Sequence, residues 1–332
     1  MLRHEPRISV IMAVYNCEEY VGEAIESVQA QTIEDWELLC VDDCSTDRSA
    51  EIVAGYARRD PRIRLIRNER NMGAPRTRNV ALEHARGEFI AVLDSDDIAT
   101  PRRFELSLAA FDDDEALGVV GGMWDVIDDS GAVTSIPDGG ELQHEPLRDS
   151  LLHHLNRLPH SSAMIRAELM KRIGGYDTRL PASQDLDLFV RLLPHCRFLR
   201  RGERFLSYRQ RDGSISRDRI LAQRLYADFA RRRAHAALRQ EPFDEQAELE
   251  EIEGVLAPDH GRSLKAARHL NGAALVALYW GEPRRARELL RSARDYWPFN
   301  PQAWFSSVLT YLPAPVISWL GGIWRRAQGR EV

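Results

Sequence analysis

Three groups of carboxylates and one Gly-Arg turn bring together residue types with chemical potential. The densest is Asp94-Ser95-Asp96-Asp97. Three carboxylates within four residues repel one another unless a cation neutralises them. Oxygen-only ligands suit Mn2+ or Mg2+, which keep waters and reach substrate phosphates through one or two carboxylates. An isolated Asp-x-Asp is common by chance and then reads as a solvated loop. The hydrophobic run Phe89–Leu93 directly before it favours a metal. Asp42-Asp43 ends a second apolar run, where a carboxylate can accept from a ribose hydroxyl or a base N–H; Asp47 alone reads as turn chemistry. Asp185, in Gln184-Asp185-Leu186-Asp187, suits a helix start on electrostatic grounds and equally a group that takes a proton from a hydroxyl. Between these lies Asn71-Met72-Gly73-Ala74-Pro75-Arg76-Thr77-Arg78-Asn79. Arginines at a helix N-terminus oppose the macrodipole, so Arg76 and Arg78 are expected to face an anion such as a diphosphate. No Walker A ending and no GxGxxG is present.

The elements that must hold these groups follow from periodicity. Ile8–Val14 is a β-branched strand, followed by a helical pattern with Tyr20, Val21, Ala24, Ile25 and Val28 on one side. Trp36–Val41 is a second strand, and Ser45-Thr46-Asp47 opens a helix. Ile63–Ile66 is a short strand, Arg76–Arg86 a helix, and Phe89–Leu93 a fourth strand. This alternation predicts an α/β fold with a mostly parallel sheet flanked by helices, and ligands beyond the carboxyl ends of its strands. A hairpin is expected at Asp128-Asp129-Ser130-Gly131, helix over 145–176, helix over Asp185–Leu193 and a short strand over Phe205–Arg209. The sequence beyond 217 is almost purely helical. The expected division is an α/β domain over 1–216 and a small all-helical region over 217–332.

Composition narrows the classes. Of 332 residues, 44% are hydrophobic and 29% charged, a globular balance. A net charge of −6 argues against a nucleic-acid partner. Lys171 and Lys265 are the only lysines. Cys17, Cys40, Cys44 and Cys196 are too scattered for a disulfide framework or a zinc knuckle, and read as free thiols in a reducing compartment. The charged start at Met1–Arg7 runs straight into a strand, without the pattern of a signal peptide. A cytoplasmic location is therefore expected.

Taken together, Ile8–Asn16 (ISVIMAVYN), Val41–Asp47 (VDDCSTD), Asn71–Asn79 (NMGAPRTRN), Leu93–Asp97 (LDSDD), Gly174–Asp177 (GGYD) and Gln184–Leu192 (QDLDLFVRL) resemble a family 2 glycosyltransferase of the inverting, bacterial cell-surface polysaccharide type. The resemblance covers about residues 7–216 and implies the GT-A fold. It implies that Asp43, with Asp42, contacts the nucleotide base and that backbone at Ala13 and the ring of Tyr15 flank the nucleotide. It further implies that Asn71, Gly73, Arg78 and Asp94 contact the nucleotide sugar, that Asp94, Asp96 and Asp97 hold Mn2+ or Mg2+, and that Asp185 is the general base. The implied donor is a nucleoside-diphosphate sugar, a UDP-sugar first, and the implied acceptor a hydroxyl of a glycan or a lipid-linked acceptor. Three departures stand out: Gln184 replaces the usual Glu before the base, Thr77 the usual Ala, and Arg211 stands where many relatives carry His, suiting it to a phosphate.

Two other classes compete. A nucleotidyltransferase also joins nucleotide, metal and acids in an α/β sheet, but the basic Gly-rich loop after strand one is missing. Residues 266–304 resemble one tetratricopeptide-like helix pair, and a non-catalytic interaction protein would need about three. Finally, Tyr296–Trp324 runs 29 residues without a charge, interrupted by Pro298, Pro301, Pro313, Pro315 and Gly321-Gly322 and closed by Arg325-Arg326. That pattern argues against a spanning helix and suits either packing or a membrane-surface contact through 302–330, peripheral on the inner face of the cytoplasmic membrane.

Overall fold

The computed structural model describes residues 5–137, 139–153, 156–210, 217–257, 264–279, 283–296, 306–307 and 310. Arg211, His154 and nearly all of the 302–330 tail lie outside the described residues.

Strand β1 (Ile8–Val14) is buried along almost its whole length, as a central strand covered on both faces must be. It pairs in parallel with β2 (Trp36–Asp42) on one side and β4 (Phe89–Val92) on the other, and β3 (Ile63–Arg67) extends the sheet beyond β2. The crossovers are α1 (Val21–Gln29), α2 (Ser49–Arg59) and α3 (Ala74–His84). Helix α1 buries Val21, Ala24, Ile25 and Val28, the 3–4 spacing of a core-facing stripe. Helix α2 starts later than the sequence suggested, at Ser49, because Asp47 turns the chain by accepting the Ser49 amide (2.9 Å) and hydroxyl (2.5 Å). Buried Glu37 in β2 locks the turn into β4: it takes the Ser9 hydroxyl (2.8 Å), the Arg86 amide (2.9 Å) and the Arg86 guanidinium (2.6 Å). Gly87 is required there, since a Cβ would stand 2.5 Å from the Ser9 nitrogen.

Past β4 the parallel pattern gives way to a mixed sheet, ordered β3-β2-β1-β4-β8-β6-β9-β5 with β7 on β6. Here β5 is Ile98–Ala99, α4 Arg103–Asp113, β6 Leu117–Ile127 and β7 Val133–Ser135. The expected hairpin forms, with the Asp128 carboxylate accepting the Ser130 and Ala132 amides. The helix expected over 145–176 is broken: α5 (His144–His153) and α6 (Ala167–Arg172) flank β8 (Met164–Arg166), which runs antiparallel between β4 and β6. Ala163, Met164 and Ile165 are wholly buried, and an apolar run buried on both faces has no period to separate strand from helix. Helix α7 (Gln184–Leu192) matches expectation. The late strand is longer than expected, β9 (Arg197–Arg209), and pairs in parallel with β6.

The chain divides into two compact units. The first comprises residues 1–214 with 230–241; the second comprises 215–229 with 242–332. Helix α8 (Arg217–Arg239) thus gives its later part to the first unit. The second unit is helical: α9 (Glu245–Leu256), capped by the Asp244 carboxylate on the Ala247 amide (3.1 Å), and a packed pair, α10 (Leu264–Tyr279) and α11 (Pro283–Tyr296). Ala267, Leu270 and Ala274 of α10 and Ala286, Leu289 and Ala293 of α11 are buried. Among the described residues no helix is long and apolar enough to cross a membrane.

Candidate active site

The carboxyl ends of β1, β2 and β4 lie side by side where strand order reverses, the place such sheets bind ligands. Ala13 is partly buried and Tyr15 half exposed, at 50%. Asn16, at φ +45°, accepts the Thr46 amide (2.8 Å) and ties the β1 end to the β2 end. Asp42 and Asp43 are both buried. Asp42 accepts the Ser45 amide (3.3 Å) and lies 3.7 Å from the Arg67 guanidinium. Asp43 organises the next loop: Oδ1 accepts Asn68 Nδ2 and the Met72 amide (2.8 Å each), and Oδ2 accepts the Gly73 amide (2.8 Å). Gly73 sits at φ +82°, ψ 157°, a conformation that only glycine adopts readily, and Asn71 is exposed beside it.

In the acid loop each carboxylate has a different environment. Asp94 receives a 2.6 Å ion pair from Arg78, and its amide donates to the Ser161 hydroxyl (2.8 Å). Burial works against ionisation of Asp94, but Arg78, with His160 and Arg103, outweighs it and lowers the pKa. Asp97 is 1% exposed. Burial, then the Asp94 and Asp96 carboxylates, push its pKa well up. Its Oδ1 accepts the Arg209 amide (2.9 Å); its Oδ2 meets no donor within hydrogen-bond geometry among the described residues, although the nearby Ser161 hydroxyl pulls the pKa back. Asp96 is partly exposed between them. A buried carboxylate oxygen lacking a donor, in a set of three acids, fits a hard divalent cation. Among the described residues no three His, Cys, Asp or Glu side chains converge as a complete metal cluster, so water and phosphate oxygens would have to complete the coordination.

Asp185 occupies the first turn of α7 and is partly buried. Its Oδ2 accepts Asn156 Nδ2 at 2.9 Å. Gln184 Oε1 accepts Arg78 Nη1 (3.0 Å), so one guanidinium joins the acid loop to the start of α7. Behind them His160 Nε2 lies 2.8 Å from the Tyr176 hydroxyl. Burial, then the Arg78 charge, bring the His160 pKa down to about 4, so its ring is neutral at physiological pH.

The structure therefore brings Arg78, Asp94, Gln184 and Asp185 into one connected network, and sets Asp42, Asp43 and Gly73 in the adjoining loop. Four contributors escaped the sequence reading: Asn68, Asn156, Arg103 and Arg209. Arg103 is wholly buried, donating to the Val92 (2.7 Å) and Ala163 (3.1 Å) carbonyls, and burial holds its pKa down to about 9. It places a charge behind Asp94 and Asp97. An Arg six residues after an acid run was the available signal; Asn68 and Asn156 left none.

The chain matches the family model for glycosyl transferase family 2 over residues 9–174, and it belongs to that family. An uncharacterized glycosyltransferase of Methanocaldococcus jannaschii, MJ1057, is 34% identical over 231 residues, covering 68% of this chain and 78% of that protein. The putative glycosyltransferase EpsE of Bacillus subtilis is 34% identical over 194 residues, 56% of this chain and 66% of that one. Among solved structures, S. aureus TarS 1–349 in complex with UDP superposes with a TM-score of 0.58 at 19% identity, covering 97% of this chain and 92% of that one. The architecture is thus the GT-A fold, and the protein is a glycosyltransferase.

Proposed function

We propose that this protein is an inverting, metal-dependent glycosyltransferase. It moves a sugar from a nucleoside-diphosphate sugar, a UDP-sugar first, to a hydroxyl of a glycan or lipid-linked acceptor in polysaccharide assembly. The observation that carries this reading is Arg78, whose guanidinium bridges Asp94 to the helix start bearing Asp185. Diphosphate and base would then flank one reacting carbon. The TarS complexes with UDP and UDP-GlcNAc support the donor class. The catalytic domain in this reading is residues 1–216, completed by 230–241, with 217–332 otherwise the helical region.

Asp42 and Asp43 hold the base-side loop, with Ala13 and Tyr15 along the nucleotide, and Asn71 and Gly73 line the donor side; Arg211, outside the described residues, is assigned to the diphosphate from its place in the sequence alone. Asp185 takes the acceptor hydroxyl proton as that oxygen bonds to the anomeric carbon from the face opposite the diphosphate. The bond from that carbon to the diphosphate oxygen breaks, and nucleoside diphosphate leaves with the electron pair. Asn156 aims the Asp185 carboxylate by holding one of its oxygens. Mn2+ or Mg2+, held by Asp96 with Asp97 and Asp94 beside it, would supply charge neutralisation of the leaving diphosphate.

A positioned base contributes about 10²–10⁴-fold. Asp185→Asn is expected to slow nucleoside diphosphate release by that range while donor affinity stays within about two-fold. Release followed by 31P NMR, with donor affinity from calorimetry, checks this; unchanged turnover removes Asp185 from the role.

A further inference from the structure

Arg209 closes β9, and its side chain is 1% exposed. Nε donates to the Asp96 carbonyl (3.0 Å), and Nη1 donates to the carbonyls of Asp128 (2.9 Å) and Asp129 (3.0 Å). Nη2 donates to the Glu23 carboxylate (2.5 Å), and the Arg209 amide donates to Asp97 Oδ1 (2.9 Å). The guanidinium lies 4.6 Å from the centroid of the Tyr20 ring, whose hydroxyl reaches Asp129 Oδ1 (3.2 Å). Helix α1, the acid loop, the β6–β7 turn and the end of β9 therefore meet on one side chain. Only a planar fork of five N–H groups can serve acceptors in so many directions; an ammonium has three donors on a point charge.

Three of the guanidinium's four acceptors are main-chain carbonyls and the fourth is the Glu23 carboxylate, so the side chain of Arg209 acts mainly on backbone. The Asp96 carbonyl belongs to the peptide linking Asp96 to Asp97. Holding that oxygen, together with Asp97 Oδ1, sets the direction in which both carboxylates leave the chain. We infer that Arg209 is a positioning residue for the acid loop: it aims Asp96 and Asp97 at the diphosphate without touching the nucleotide sugar, and it ties that aim to the 128–131 turn and α1. This rests on the reading of Asp94–Asp97 as the diphosphate side of the site.

The test uses the full chain and its Arg209→Lys and Glu23→Gln variants. Melting temperature comes first; then UDP, GDP and dTDP are titrated by calorimetry with Mn2+ and with EDTA, and the tightest is compared with its own nucleoside. Outer partners of a metal site typically control about 10–100-fold in affinity. Arg209→Lys is expected to weaken the diphosphate by that range in Mn2+ and to leave the nucleoside within about two-fold, because the Asp43 loop is untouched. Glu23→Gln, on the rim, is expected to lose about three-fold in the same direction. A folded Arg209→Lys with unchanged diphosphate affinity, or one losing nucleoside and diphosphate equally, overturns the inference. Should Arg209→Lys fail to fold, unchanged affinity in Glu23→Gln overturns it. Failure of the wild type to bind any of the three diphosphates overturns the site reading itself, and this inference with it.

Discussion

Asp43 accepts hydrogen bonds from Asn68, Met72 and Gly73, and through them it shapes the loop that leads into α3. Removing its carboxylate strands the Met72 amide and leaves the Gly73 amide only Asn71 Oδ1 (3.2 Å) and Asn68 Nδ2 only the Thr77 hydroxyl (3.1 Å). Unsatisfied groups of this kind cost about 1–3 kcal/mol each. Asp43→Ala is therefore expected to lose about 2–4 kcal/mol in urea denaturation and at least about ten-fold in donor affinity; a loss of affinity at full stability would mean that Asp43 meets the ligand but does not build the loop. His160 gives a pH signature. Its folded pKa of about 4 lies below the unfolded value of about 6.5. Between those values the unfolded chain binds a proton that the folded chain refuses, so stability falls as pH drops through that window, by up to about 1.4 kcal/mol per unit. Above it His160 contributes no pH dependence. His160→Gln, which can still meet Tyr176, is expected to flatten the slope of urea midpoints between pH 6.5 and 4; identical slopes would contradict a neutral buried ring. The acids at 42–43, 94–97 and 185 were legible because carboxylates clustered at strand and helix ends are costly without a task. Which cation each one meets was not. Arg78 reaches Asp94 and Gln184 only through tertiary geometry, and Arg209 reaches Asp96 across 113 positions of chain.

At the scale of elements, the later part of α8 anchors the helix that carries Asp185. Arg233 pairs with Asp187, which is wholly buried on α7, and with Asp177 (3.0 Å). Asp187 also takes Arg191 (2.8 Å), which in turn donates to the carbonyls of Ile173 (2.9 Å) and Gly175 (2.8 Å). Burial raises the Asp177 pKa, but Arg179 and Arg233 override it and hold the carboxyl well below its usual range. Breaking a buried ion pair from one side costs about 3–5 kcal/mol. Arg233→Met is expected to lose about 3 kcal/mol and to raise amide exchange in α7 before it does in β1; uniform exchange across the unit would contradict this anchoring. The sequence announced β1 to β4 plainly: β1, β2 and β4 are buried apolar runs between helical patterns, and the edge strand β3 is a short apolar alternation after an amphipathic helix. It hid β8, a three-residue strand whose only sequence mark is an apolar run. It also hid the first half of β9, where Arg197, Arg200 and Arg201 interrupt any alternation. Buried Arg200 donates from its two Nη atoms to the carbonyls of Arg157 (3.0 Å) and Gly140 (2.7 Å), contacts without a local sequence signal.

Over the whole molecule, the two units assign 230–241 to the catalytic side, although the sequence break falls near 216. A chain ending after Glu241 keeps Arg233 on Asp187, whereas one ending after Ser216 leaves that buried carboxylate short of a partner. The shorter chain is expected to melt several degrees lower, since about 1 kcal/mol corresponds to roughly 2–4 °C at this size; equal melting temperatures would make 1–216 self-sufficient. The tail is a separate question. Its uncharged, Trp-containing sequence beside Arg325-Arg326 motivates a lipid-surface contact, and co-sedimentation with anionic liposomes is expected to fall when the chain is cut after Pro301. Equal binding by both chains would remove the tail from that role. The central claim concerns the crevice beyond β1, β2 and β4, and nucleoside diphosphate binding tests it without knowledge of the acceptor. Calorimetry of UDP, GDP and dTDP in Mn2+ is predicted to show one of them binding at micromolar to millimolar strength, about 10-fold or more weaker in Asp96→Asn. No binding by the wild type, or binding indifferent to Asp96 and Asp43 substitutions alike, would contradict the account.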